Sequence, residues 1–156
     1  MRVRRRLILS IIQLLFFLIS AACLFPQSNR MIDEILEAEH ISFYHTAYML
    51  CYAADIVDSE DDFDFIAVLR DRSDFFLEMD GQHQLNTAEF SLALMVMFEI
   101  GGGIMYSIFN TPHYAYREMT SKGIIEKDQP ASKSMTGEKM LVTIQRALEW
   151  KNVFIP

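Results

Sequence analysis

One stretch of the chain can be laid over another at a constant offset of fifty residues, and nothing else in the sequence constrains the fold as much. Leu85-Asn86-Thr87-Ala88-Glu89-Phe90 and the residues up to Ile100 run alongside Met135-Thr136-Gly137-Glu138-Lys139-Met140 and the residues up to Trp150. Apolar side chains coincide at Leu85/Met135, Phe90/Met140, Leu92/Val142, Leu94/Ile144, Met97/Ala147, Phe98/Leu148 and Ile100/Trp150. Asn86 and Thr136 both stand where an N-cap side chain would accept from the first turn of a helix. The pattern is that of two copies of one helix, each begun by a capped turn.

A second correspondence precedes each copy. His45-Thr46-Ala47-Tyr48 matches His113-Tyr114-Ala115-Tyr116, and Asp55-Ile56-Val57 matches Gly123-Ile124-Ile125, both at an offset of sixty-eight. The eighteen-residue difference falls between Val57 and Leu85, so the first copy is expected to carry an insertion: the acidic run Asp58-Ser59-Glu60-Asp61-Asp62 plus a helix over 63–79. Periods of this size argue for a helical repeat architecture. Composition agrees, because 51% hydrophobic and 12% aromatic content can build a core. Four prolines and six glycines are too few for an all-β chain that needs a turn every ~8–12 residues. The fold expected is mainly α: a linker and short amphipathic helix within 23–41, repeat 1 over 42–100, and repeat 2 with a C-terminal tail over 101–156. Asp80-Gly81 reads as a turn.

The first residues are of another kind. Arg2, Arg4, Arg5 and Arg6 precede an uncharged run over 7–19 and then Ser20-Ala21-Ala22-Cys23. That is the layout of a signal peptide over 1–22, with an uncleaved anchor as the alternative, since 7–25 is just long enough to span a bilayer. Cys23 occupies the position of a lipidated cysteine, although Ser20 stands where a lipobox usually has Leu, and ordinary cleavage after Ala22 is the other reading. The expectation is an exported cell-envelope protein, a lipoprotein or helix-anchored, meeting the membrane through its N-terminus. Removing those four arginines takes 14 basic residues to 10 against 21 acidic ones, a net charge of −11. Such a balance disfavours nucleic acid as a partner. Cys51, in Tyr48-Met49-Leu50-Cys51-Tyr52, reads as a buried small hydrophobe.

The segment Tyr114-Ala115-Tyr116-Arg117-Glu118-Met119 through Lys122-Gly123-Ile124-Ile125, followed by Met135-Thr136-Gly137-Glu138-Lys139-Met140, resembles an S-layer homology repeat. Leu85-Asn86-Thr87-Ala88-Glu89-Phe90 resembles the closing motif of that repeat in the other copy. The resemblance implies helical pairs, commonly three around a pseudo-threefold axis, that hold proteins at the cell surface by binding wall polysaccharide. It also implies binding residues at the motif turns, here Asn86, Thr87, Glu89, Thr136, Gly137 and Glu138. The family grips anionic sugar substituents with an Arg, which suits a guanidinium's paired hydrogen bonds to a carboxylate. That position is Thr87 in one copy and Gly137 in the other, neither of them charged. Docking on an envelope protein is therefore the alternative use of the scaffold.

Other candidate chemistry reads as structural. Glu34, Glu37 and His40 have Glu-x-x-His spacing, but a di-metal bundle needs that motif twice and no second copy is present. The acidic run lacks the Gly and Glu positions of an EF-hand. Gly101-Gly102-Gly103 is not followed by Lys-Ser or Lys-Thr, so it reads as a helix end needing left-handed backbone and then close packing of Ile104 to Phe109. His45 and His113 read as partners in equivalent helix contacts. With no nucleophile and base pattern, the expectation is a non-enzymatic protein with no cofactor or metal, and the alternative is a periplasmic small-ligand or metal-binding domain.

Overall fold

Capping chemistry decides where the helices of this chain begin. The computed structural model describes residues 27–57 and 63–154; the segment 1–22, Cys23 and the acidic run 58–62 lie outside them. The chain divides after Glu34 into two units, of which the first contributes only residues 27–34 to the description. The helices are α1 Gln27–Glu37, α2 Phe43–Ala53, α3 Phe65–Arg72, α4 Thr87–Phe98, α5 Ile104–Phe109, α6 Pro112–Ser121 and α7 Gly137–Phe154, with a 3-10 turn at Asp74–Phe76. Among the described residues the only other pairing is two isolated antiparallel bridges, Ser42 with Gln84 and Asn86 with Ser134. The expected mainly α fold is what the structure has.

Four of the described helices start on a side-chain cap; in α3 it is Asp64, whose Oδ1 accepts from the Ala67 amide at 3.0 Å. Asn86 Oδ1 accepts from the Ala88 and Glu89 amides, both at 3.0 Å, while Glu89 Oε2 accepts from the Asn86 amide at 3.0 Å, a reciprocal capping box. Ser42 Oγ accepts from the His45 amide at 3.2 Å, and His45 Nδ1 takes the return bond from Ser42. Thr136 Oγ1 accepts from the Lys139 amide at 3.4 Å. Asn86→Ala removes the tightest of these and is expected to cost about 1 kcal/mol, read as a lower urea midpoint at unchanged m-value.

In α2, α4 and α7 the residue before the cap ties the three helices together. The Ile41 amide donates to the Met135 carbonyl at 2.9 Å, Leu85 to Ile41 at 3.1 Å, and Met135 to Leu85 at 3.1 Å. The bonds close a ring, and all three side chains are fully buried within it. Around the ring, Phe43 and Tyr44 donate to the His83 and Gly81 carbonyls, Thr87 and Ala88 to Lys133 and Ala131, and Gly137 to Ala38. The structure thus has three equivalent helix starts where the fifty-residue offset pairs two. The additional one, Ile41-Ser42-Phe43, lies forty-four residues before Leu85-Asn86-Thr87. The offset of sixty-eight aligns unlike elements, since His45–Tyr48 belongs to capped α2 and His113–Tyr116 to α6, which begins on Pro112 without a side-chain cap.

Helix ends explain why that second correspondence looked real. Gly123 is left-handed at φ +74°, its amide donates to the Thr120 carbonyl, and the Ile124 amide reaches back to Met119: a Schellman motif with Ile124 and Met119 both buried. Asp55, at φ +55°, closes α2 in the same way through Asp55 to Tyr52 and Ile56 to Cys51. The helix expected over 63–79 is broken. Ser73 is extended at φ −157°, and the chain re-forms as the 3-10 turn so that Phe76 is buried against Phe43, ring centroids 5.3 Å apart. α4 is apolar on all sides and lies at the centre, packed by α2, α3, α6 and α7.

Candidate functional site

The six motif-turn residues are brought together by the ring, but mostly as structure. Thr87 is fully buried; its hydroxyl donates to the Lys133 carbonyl at 2.9 Å and accepts from Gln129 Nε2 at 3.0 Å. Gly137 is also buried, and a Cβ placed on it would overlap the Ile35 carbonyl oxygen. These are the two positions where the resembled family carries its Arg, and neither has room for one. Asn86 and Glu89 are spent on the capping box, with Glu89 Oε2 also 3.3 Å from His83 Nε2. Thr136 caps α7. Only Glu138 of the six is exposed. The first amides of α2 and α4 are taken up by the neighbouring loop carbonyls, so neither helix start offers free donors to an anion.

What the Asn86 turn does border is a groove of about 450 Å³. Asn86, Ala88 and Glu89 form one wall, Thr111, Pro112 and His113 at the start of α6 another, with Phe75 of the 3-10 turn and Ala131-Ser132 completing it. No Lys or Arg lines it. Phe75 is exposed although Phe76 beside it is buried, and the two rings meet edge to face with centroids 5.2 Å apart. His113 is exposed in this groove while His45 sits in the α2 cap, so the two do not make equivalent contacts. A smaller groove of about 210 Å³ between α7 and 126–129 is spanned by Arg146 donating to Glu126 at 2.8 Å.

Comparison with known proteins finds no matching family model, curated protein or solved structure. Function is therefore argued from the groove and the ring alone.

Two expectations change here. Gly101-Gly102-Gly103 is not left-handed; the left-handed residue is Glu99 at φ +55°, and the apolar residues of α5 after the glycines are exposed instead of packed. His40 lies beyond the end of α1 at Glu37, so the Glu-x-x-His spacing does not fall on a helix. Among the described residues no three His, Cys, Asp or Glu side chains group to hold a metal, and no helix is long and apolar enough to cross a membrane.

Cys51 is fully buried, and desolvation pushes its thiol from 9.0 to about 11, opposed in part by the Arg72 guanidinium. It is expected to resist maleimide at pH 8 in the native protein and to react once denatured. Because the unfolded thiol loses its proton first, stability falls as pH rises from 9 towards 11, and Cys51→Ala makes that slope shallower, leaving the share of Tyr106, whose hydroxyl burial also pushes up.

The groove residues Phe75, Thr111 and Ser132 were not legible beforehand. They come from a turn and two loops that only the ring brings together.

Proposed function

We propose that the chain is a non-enzymatic cell-envelope protein, anchored at its N-terminus, whose S-layer-homology-like helical module docks on wall polysaccharide. The observation that supports this reading is the closed ring of hydrogen bonds among Ile41, Leu85 and Met135, which joins three capped helix starts, as many as the repeats the resembled family commonly has. The groove beside Asn86 supplies a place to bind, with an aromatic face at Phe75 and hydrogen-bonding groups at Thr111, His113 and Ser132. Apolar ring faces and short polar side chains of this kind suit a sugar.

The sign of the groove selects the sugar. With Glu89 and no cation lining it, on a domain of strong negative charge, it favours neutral or amino-bearing residues over the anionic substituents that an Arg would grip. Export and anchoring rest on the basic and apolar N-terminus and on Cys23.

The test is sedimentation of the full-length protein with purified sacculi, before and after acid removal of anionic wall polymers. Saturable binding that survives their removal and falls about ten-fold or more in Phe75→Ala, the loss of roughly 1.4 kcal/mol, is the expected result. Binding that vanishes with the anionic polymers overturns the choice of ligand. No binding to either preparation overturns wall docking and leaves an envelope protein as the partner.

A further inference from the structure

Residues 101–116 contain no Asp, Glu, Lys or Arg. An uncharged stretch is ordinary where the side chains are buried, as along α2, but this one runs over the surface. Within it α5 exposes Ile104 at 79%, Met105 at 48%, Ile108 at 65% and Phe109 at 52%. These positions, one and four apart, share one side of the helix. α5 rests on α6, and Phe109 stacks on Tyr114 with centroids 5.4 Å apart, which holds the apolar face outward. Gly102 lies so close to the Tyr106 ring that a Cβ there could not be accommodated without moving it. The face is therefore built into the fold.

Its size and rim decide what covers it. The exposed apolar area is on the order of 500 Å², within the range of functional patches on single proteins but short of the roughly 800 Å² per partner of a stable interface. Alone it would not hold a second copy of the chain. The charges bordering it are Arg117 and Glu118, the latter paired with Lys122 at 3.8 Å, so the rim carries no net negative charge although the domain is acidic, and Tyr114 stands beside Arg117. A small apolar face edged by tyrosine and arginine matches the boundary between headgroups and acyl chains, where aromatic and basic side chains sit with apolar ones below.

We propose that α5 is a membrane wedge, its Ile104, Met105, Ile108 and Phe109 face lying in the bilayer to which the N-terminus is anchored. The proposal rests on the anchoring reading above. A tether raises the local concentration of lipid around the wedge, so a contact too small to bind from solution suffices to set how the domain lies on the membrane.

The test uses the full-length protein carrying Trp150→Phe and Phe109→Trp, reconstituted into phosphatidylcholine vesicles with and without brominated acyl chains. The expected result is co-flotation with the vesicles, a blue-shifted indole and a roughly two-fold or larger loss of emission with brominated lipid, the loss abolished by Ile108→Asp while flotation persists. Co-flotation with an indole indifferent to bromine overturns the wedge and leaves the anchor standing. Absence of flotation overturns the anchor and the wedge with it. A blue shift that grows with protein concentration and ignores bromine overturns the wedge in favour of a second copy.

Discussion

Gly137→Ala is expected to destabilise the protein by on the order of 3 kcal/mol, although the same change at an open helix start would be neutral or stabilising. The sign is what makes the result informative. Alanine is favoured over glycine within a helix by about 1 kcal/mol, and Gly137 has no positive φ that would forbid a side chain. The opposing effect is steric: the added Cβ meets the Ile35 carbonyl oxygen and lies within 2.6 Å of the Ile35 carbonyl carbon, backbone atoms that cannot rotate away. The Gly137 amide also bonds to the Ala38 carbonyl, so separating the two segments breaks that bond as well. Gly101→Ala, where a Cβ meets nothing within 4 Å, is the control and is expected to stay within ~0.5 kcal/mol. Urea denaturation of the three proteins checks it. A stabilised Gly137→Ala would mean the close approach at the start of α7 is wrong.

Leu85→Ala is expected to cost about 2–5 kcal/mol, with Ile41→Ala and Met135→Ala falling in the same range. All three side chains are fully buried where the capped helices meet, and none has a solvent-side path by which the vacancy could relax. Leu77, exposed beyond the 3-10 turn, should change stability by less than ~0.5 kcal/mol when cut to Ala. Because the ring joins residues forty-four and fifty apart in the chain, each loss should lower a single cooperative transition and not melt one repeat alone. Circular dichroism at 222 nm and Cys51 accessibility should therefore give coincident curves for wild type and for all three variants. Separate transitions would show units that fold independently.

Local chemistry was legible in the sequence and distant packing was not. The Asn86 and Thr136 caps and the glycine closing α6 depend on residues within a turn of one another, and their types declare the geometry. The third helix start was hidden because Ile41-Ser42-Phe43 shares only residue character with its counterparts: apolar, capping, then a buried position held by Phe43, Thr87 or Gly137. That buried position also accounts for the absent arginines. Nothing in Thr87 or Gly137 as letters says that one is sealed by Gln129 and Lys133 and the other by Ile35. α5 misled in the opposite direction, since an apolar run normally signals core, and only its position outside α6 leaves it at the surface. The break at Ser73 follows from the depth at which Phe76 must reach Phe43, a distance no periodicity encodes.

Native-state hydrogen exchange at the Ile41, Leu85 and Met135 amides tests the central claim most directly. If the three hydrogen bonds form one closed ring, none can open without the others, and all three amides should exchange only through global unfolding, with equal protection that falls in step as denaturant is added. If one of them, Ile41 for example, exchanges through a local opening several kcal/mol below the other two, the ring is not closed and the three helix starts are not held as one unit.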